Sequence, residues 1–323
     1  MSESLTISIA MCTYNGERFL AEQLASFLLQ SCPPDELVVC DDGSQDSTIS
    51  ILEIFGSKAP FPVRIYRNDE NLGFKKNFEK AACLCCGDII AFSDQDDVWL
   101  PHKVARIRAI FEDRPEISFV FSDANIVDEN LNPLGYSFLE LIHFNKSVQE
   151  KFCRGDALNL LFKDLIIFGM LLSFRSSFRK YVFPLPEYWS HDGWLPIILS
   201  AISDFTIIPE QLILYRQHSA QFTGKKPSNL RAMFSKAKKT GREEYLNTAN
   251  MWISALKRLS LDPQLREHKL YIMTKEKINH LIVRAEMPNS LIKRLPFVIG
   301  ETLSLRYFRY SNGWKSVAKD TFL

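Results

Sequence analysis

The sequence predicts an α/β fold: a mostly parallel sheet flanked by helices, followed by a C-terminal helical region. Three observations point there. Short apolar runs alternate with helix-spaced segments up to about residue 115. Three of those runs end in polar, mostly acidic clusters. From residue 225 onward the chain becomes basic and helix-patterned.

The first run, TISIAMCTYN at 6–15, reads as a strand ending in Thr13, Tyr14 and Asn15. Residues 17–29 carry Phe19, Leu20, Leu24, Phe27 and Leu28 at helical spacing, and Pro33-Pro34 closes that helix off. ELVVCDDGSQDST at 36–48 is a second strand, an acidic Gly turn at Asp41-Asp42-Gly43, and a helix beginning near Asp46. VRIYRND at 63–69 is a third strand, 74–86 a third helix, and DIIAFSDQDD at 88–97 a fourth strand. This rhythm means βαβ units and a parallel sheet, with ligands beyond the carboxyl ends of the strands. All three polar clusters then lie along one sheet edge. Beyond about 115, ISFVFSDANIVD at 117–128 and LLSFRSSF at 171–178 read as strands, 195–200 as a helix, and 205–224 as two strands and a loop. Helices are expected at 230–239, 245–259 and 263–285, with the C-terminal FRYSNGWKSVAKD folding back as an amphipathic cap.

The 323 residues, 46% apolar and 24% charged, exclude a collagen, a low-complexity chain and a wholly disordered one. Residues 1–224 hold 19 Lys+Arg against 30 Asp+Glu, a net of −11, and 225–323 hold 20 against 8, a net of +12. An acidic body with a basic tail suggests a surface-binding tail at a membrane or nucleic acid; a solvated helical region accounts for it equally well. Cys83 and Cys86 form a CxxC without a second pair to complete a zinc set, and Cys12 and Cys40 fall inside strands. Reduced, buried thiols and the lack of a basic leader suggest a cytoplasmic protein.

In SDQDD at 93–97, Asp94 and Asp96 sit two residues apart at a strand end, a hard oxygen-rich corner suited to Mg²⁺ or Mn²⁺ bridged to a diphosphate. A turn-and-capping cluster is the competing account. Asp41 or Asp42 is placed to accept hydrogen bonds from a base or ribose, while Asp46 or Ser47 caps the next helix. Gly73, ahead of Lys75 and Lys76, opens a helix whose N-terminus and basic pair could hold a diphosphate; a solvated helix face is the alternative.

Together these segments resemble the family 2 glycosyltransferases, specifically the bacterial rhamnosyltransferase-like branch. The carrying residues are IAMCTYNGERFLAEQLASFLLQS at 9–31, VVCDDGSQDST at 38–48, NLGFKKNFEKA at 71–81, FSDQDDVWLPHK at 92–103, HDGWL at 191–195 and YRQHSAQFTG at 215–224. The resemblance implies a GT-A domain over 1–224, with a nucleotide-sugar half at about 1–115 and an acceptor half at about 116–224, ahead of a basic helical region at 225–323. It implies that Thr13, Tyr14, Asn15, Asp41, Asp42, Gly73, Lys75 and Asp94 bind the donor, with Tyr14 against the base and Asp94 near the ribose. Asp96 and His218 would hold the metal, and Asp192 would be the catalytic base. The chain departs from the family pattern in having His191 where an acidic residue is frequent, and QFTG at 221–224 where an Asn-containing end is usual.

Inverting transfer needs one carboxylate to take the acceptor's proton, since metal and not an acid stabilises the leaving diphosphate. A hydrolase needs a second carboxyl group as proton donor. The expectation is therefore a metal-dependent inverting glycosyltransferase moving L-rhamnose from dTDP-rhamnose, or a hexose from a UDP-sugar. Its acceptor would be a saccharide or lipid-linked saccharide in O-antigen or capsule assembly. The expected partners are that donor and acceptor and a peripheral membrane contact through 225–323, with no nucleic acid. A nucleotidyltransferase would want a Gly-rich basic loop after the first strand, where this chain has Cys12-Thr13-Tyr14-Asn15-Gly16-Glu17. A non-catalytic carbohydrate-binding protein of the same fold is the third reading.

Overall fold

The computed structural model describes residues 4–163, 167–219 and 241–322. These fall into two compact units, the first made of 4–153, 167–185 and 190–219, the second of 154–163, 186–189 and 241–322.

In the first unit, strands β1 (Ile7–Thr13), β2 (Glu36–Asp41), β3 (Val63–Arg67) and β4 (Ile89–Ser93) are linked by helices α1 (Glu17–Leu28), α2 (Thr48–Gly56) and α3 (Gly73–Leu84). They are parallel neighbours in the order β3-β2-β1-β4. Every residue of β1, β2 and β4 is buried, as a parallel sheet covered on both faces requires. α1 closes one face with Phe19, Leu20, Leu24 and Phe27. Because β2 and β3 lie to one side of β1 and β4 to the other, the switch point falls at the carboxyl ends of β1 and β4.

The chain continues through β5 (Val98–Trp99), α4 (Lys103–Asp113), β6 (Ile117–Val127), β7 (Pro133–Ser137), the short helices α5 (Phe138–Leu141) and α6 (Lys146–Lys151), and α7 (Ala157–Lys163) of the second unit. It returns through β8 (Leu172–Arg175), α8 (Arg179–Val182), α9 (His191–Ile202) and β9 (Asp204–Arg216). The sheet of nine strands among the described residues runs β3-β2-β1-β4-β8-β6-β9-β5, with β7 beside β6. It is thus a mixed sheet: β8 is antiparallel to β4 and β6, β7 to β6, and β5 to β9.

Three expectations are corrected. α9 starts at His191, not Leu195, with Ser190 in extended backbone as its N-cap. Gly193 and Pro196 argue locally against a helix, but burial of His191, Trp194, Leu195, Ile197, Ile198 and Leu199 outweighs them. β9 is one strand of 13 residues, not two. Pro209 is absorbed where the register to β6 slips, from Ser122↔Ile208 to Asp123↔Gln211, a bulge that needs no N–H from proline. In the second unit the helix expected at 263–285 is two.

That unit contains α10 (Arg242–Ser260), α11 (Pro263–Glu267), α12 (Lys269–Ala285), α13 (Leu291–Leu303), α14 (Arg306–Tyr310) and α15 (Trp314–Phe322). His268 takes extended backbone between α11 and α12, and its Nδ1 accepts from Leu270 N at 3.1 Å, capping α12. The helix expected at 230–239 and the loop at 221–224 lie outside the described residues. Earlier chain enters this unit too: Trp189 Nε1 donates to Met251 O at 2.8 Å, and the Phe162 ring lies 4.4 Å from that of Trp252.

Candidate active site

The edge at the switch point is built by polar side chains that lace neighbouring strand ends together. Asp41, last in β2, uses both carboxylate oxygens. Oδ1 accepts from Gly43 N and Ser44 N at 3.2 and 2.9 Å; Oδ2 accepts from Thr13 Oγ1 and Ser44 Oγ at 2.8 and 2.5 Å. A carboxylate offers about four acceptor sites, so Asp41 is saturated and has none left for a ligand. In this structure it shapes the loop. Asp42 accepts from Asn68 Nδ2, Leu72 N and Gly73 N at 2.8, 2.8 and 2.9 Å, which leaves one acceptor site. Of the two, Asp42 keeps the capacity to bind.

Asn15 takes a left-handed backbone (φ 46), which asparagine tolerates. Its N–H donates to Ser44 Oγ at 2.9 Å, and its Oδ1 accepts from Gln45 N at 2.9 Å. Tyr14 between them is 50% exposed, an aromatic face open to a ligand. Its backbone is clamped by Gln95, which accepts from Tyr14 N at 2.9 Å and donates to Tyr14 O at 3.1 Å. Gly16 permits this clamp, because a Cβ there would sit 2.3 Å from Gln95 Oε1. Gly73 opens α3 with φ +76, and Lys75 is half-buried with its Nζ 6.0 Å from the Phe74 ring. Lys76 is drawn off to Glu79 at 2.9 Å.

Beyond β4, ligand oxygens of Asp94, Asp96 and Asp97 lie within 4.8 Å of one another. Buried Gln23 positions the strand end by donating to Ser93 Oγ and Asp94 O at 2.7 and 3.2 Å. Burial first, then the charges of Asp96 and Asp192, push the Asp94 carboxyl up to about 7. Burial and both neighbouring aspartates also hold Asp97 well above the usual carboxylate range. Asp97 Oδ1 accepts from Arg216 N at 3.1 Å, while its buried Oδ2 has no partner among the described residues. His218 Nε2 lies 2.9 Å from Asp96 Oδ2, and its ring is 4.6 Å from that of Phe19. Arg216 staples the region, donating to Asp96 O at 2.8 Å, to Glu129 O at 2.6 Å and to the Glu22 carboxylate. Lys103, fully buried, donates to Met170 O at 2.8 Å and lies 3.7 Å over the Trp99 ring. Burial lowers its pKa well below the usual ammonium value, against the pull of Asp97 and Asp94.

Asp192 stands in the first turn of α9, half-buried, with its carboxylate bonded to no described residue. Its charge reaches Asp94. The adjacent His191 is turned inward, with rings of Phe78 and Phe92 at 4.3 and 4.4 Å. Neither of its nitrogens has a partner among the described residues.

Asp94, Asp96 and His218 are therefore together, with Asp192 in electrostatic reach, and Thr13, Tyr14, Asn15, Asp42 and Gly73 follow the same edge. Sequence reasoning missed Gln23, Gln95, Asp97, Lys103 and Arg216. All five stand inside quoted motifs, but their roles come from partners far off in sequence, such as Ser93 for Gln23 and Tyr14 for Gln95, which the motifs do not reveal.

Comparison with known proteins fits this geometry. The family model described as Glycosyl transferase family 2 matches residues 8–181. An uncharacterized glycosyltransferase of Nostoc sp. is 27% identical over 229 residues, covering 67% of this chain and 66% of its own. The Escherichia coli UDP-Glc:alpha-D-GlcNAc-diphosphoundecaprenol beta-1,3-glucosyltransferase is 30% identical over 125 residues, 38% of this chain and 47% of its own. Among solved structures, S. aureus TarS 1-349 in complex with UDP-GlcNAc superposes with a TM-score of 0.56 at 16% identity, covering 94% of this chain and 78% of that one. At that identity the likeness is one of fold, which is GT-A.

Proposed function

The chain belongs to glycosyl transferase family 2, and from that premise we propose that it transfers a hexosyl group from a nucleoside-diphosphate sugar to a lipid-linked saccharide, with inversion. The observation that carries the reading is Asp192: a carboxylate on a helix start, bonded to no described residue, whose charge reaches Asp94 at the switch-point edge. The E. coli relative's UDP-glucose donor and diphosphoundecaprenol-linked acceptor favour a UDP-hexose. The rhamnosyltransferase-like motifs make dTDP-L-rhamnose the second donor to try, and surface polysaccharide assembly at the cytoplasmic membrane face the setting.

The donor's base rests on Tyr14, with Asp42's remaining acceptor site at its edge. Thr13 and Asn15 fix the loop that holds it, while Gly73 and Lys75 border the diphosphate. The acceptor hydroxyl is oriented by Asp192, which takes the proton as that oxygen attacks the anomeric carbon. The bond from that carbon to the diphosphate oxygen breaks, and the electron pair leaves with the nucleoside diphosphate. The clustered carboxylates, one with an unpartnered buried oxygen, suit a hard divalent cation. Mg²⁺ or Mn²⁺ held by Asp96 and His218, with Asp94 near the donor ribose, would offset charge on the leaving diphosphate.

The test is a panel of UDP-glucose, UDP-N-acetylglucosamine and dTDP-L-rhamnose, with and without Mn²⁺. Thermal shift reads binding, and product analysis with a diphosphoundecaprenol-linked N-acetylglucosamine acceptor reads transfer. One donor should raise the midpoint only with metal and give an inverted linkage. A chain that binds donor normally but transfers nothing to any saccharide would instead support the non-catalytic reading.

A further inference from the structure

Helix α13 presents the wrong side to solvent. Its inner side is made by Val298 and Glu301, the latter paired with His280 at 2.5 Å and Arg306 at 3.0 Å. Its outer side carries Ile292, Leu295, Pro296, Ile299 and Leu303, spaced i, i+3, i+4, i+7 and i+11, which is a single helix face. Ile292 is 81% exposed, Ile299 54% and Leu303 79%. Helix α15 adds exposed Trp314 and Phe322 at 68% and 78%. A surface helix ordinarily turns such a stripe inward.

The charges around it are one-sided. From 291 to 322 the only acidic side chains are Glu301 and Asp320, and both are buried. Asp320 is held by Arg284 at 2.6 Å. Lys293, Arg309 and Lys315 are exposed. Arg309 pairs with Glu276 of α12 at 3.9 Å, so solvent meets an apolar stripe with Lys293 and Lys315 as its exposed cations and no exposed carboxylate from 291 to 322.

We propose that α13 lies in the interfacial plane of an anionic phospholipid bilayer, its stripe at the acyl boundary and the basic side chains among the headgroups. At 13 residues it is too short to cross, and no helix among the described residues is long and apolar enough to do so. A second copy of the chain fits less well, because a two-fold contact would bring the same cationic rim against itself. An anionic lipid surface satisfies the stripe and the charges together. The inference does not depend on the transfer reaction.

The full chain should cosediment with vesicles of equal phosphatidylcholine and phosphatidylglycerol, and poorly with phosphatidylcholine alone. Ile299→Glu with Leu303→Glu should lower that binding by roughly tenfold or more, because charge then sits in the stripe. Lys293→Glu with Lys315→Glu should lower it roughly fivefold per charge removed, or more, and flatten its salt dependence. All four positions are exposed, so circular dichroism and the melting midpoint should not change; equal loss of fold and binding would overturn the assignment. So would vesicle binding that survives both pairs, absence of binding at low ionic strength, or a dimer in sedimentation velocity that the stripe substitutions dissolve.

Discussion

Two adjacent residues in the first turn of α9 do opposite things. Asp192 is bonded to no described residue and its charge reaches Asp94, while His191 is buried among Phe78, Phe92 and the backbone of Gly169. Asp192→Asn keeps the shape and the ability to cap, but removes the proton acceptor. It should leave donor affinity within about twofold and cut turnover by about 10²–10⁴-fold; steady-state kinetics beside calorimetric donor binding checks this. His191 is neutral by burial: its pKa is lowered from the ordinary 6.5, with Asp192 pulling weakly the other way. The unfolded imidazole therefore binds a proton before the folded one does. Stability should be complete above about 6.5 and fall as pH drops below it, by about 1.4 kcal/mol per pH unit until the folded imidazole titrates. His191→Leu, similar in volume, should flatten that slope in urea titrations between pH 7.5 and 5. An unchanged slope would mean another group controls acid sensitivity. The family departure at His191 is thus a packing residue, with no hydrogen bond to any described residue.

At the scale of elements, the legible parts are those whose signal is local. β1, β2 and β4 follow from apolar runs closed by polar clusters, because a strand buried on both faces must be apolar throughout, while the half-buried β3 follows from its alternating VRIYR pattern. The start of α9, the single β9 and the break at His268 were not legible. Each is decided by burial or by a capping bond that overrides Gly, Pro or an unbroken helical period. The same limit hid the network inside the second unit. Arg284 of α12 donates to Asp320 at 2.6 and 2.9 Å, to Ser311 Oγ at 2.8 Å and to Tyr245 OH at 2.7 Å, while Tyr307 OH reaches Asp320 at 2.7 Å. In sequence these are scattered members of amphipathic helices; their partners lie up to 39 positions away. Arg284→Met keeps most of the apolar volume but strands a buried carboxylate. The cost should be about 3–5 kcal/mol, read from denaturant unfolding. Replacing Asp320 by Asn as well should recover part of it, since the stranded charge is then gone.

At the scale of the whole molecule, charge and packing divide the chain at different places. Composition changes sign near residue 225, from a net of −11 to +12. Packing assigns 154–163 and 186–189, both from the acidic stretch, to the second unit. Phe162 and Trp189, 1% and 5% exposed, are buried there against Trp252, whose ring is 4.4 and 4.9 Å from theirs. Lys277 Nζ donates to Phe162 O at 2.8 Å. A chain ending at 224 keeps every residue of the candidate site yet loses what covers these two rings. Burying a large apolar side chain contributes about 1.5–3 kcal/mol, so exposing two removes a sizeable share of the roughly 5–15 kcal/mol typical of a domain. The 1–224 chain should therefore melt several degrees below the full chain, bind the dye ANS, and aggregate as protein concentration rises. Ala at both positions in that shorter chain should reduce dye binding and aggregation, because the exposed rings are their source. If instead the 1–224 chain melts within about 2 °C of the full chain, the two insertions are energetically idle; 2 °C corresponds to at most about 1 kcal/mol at this size.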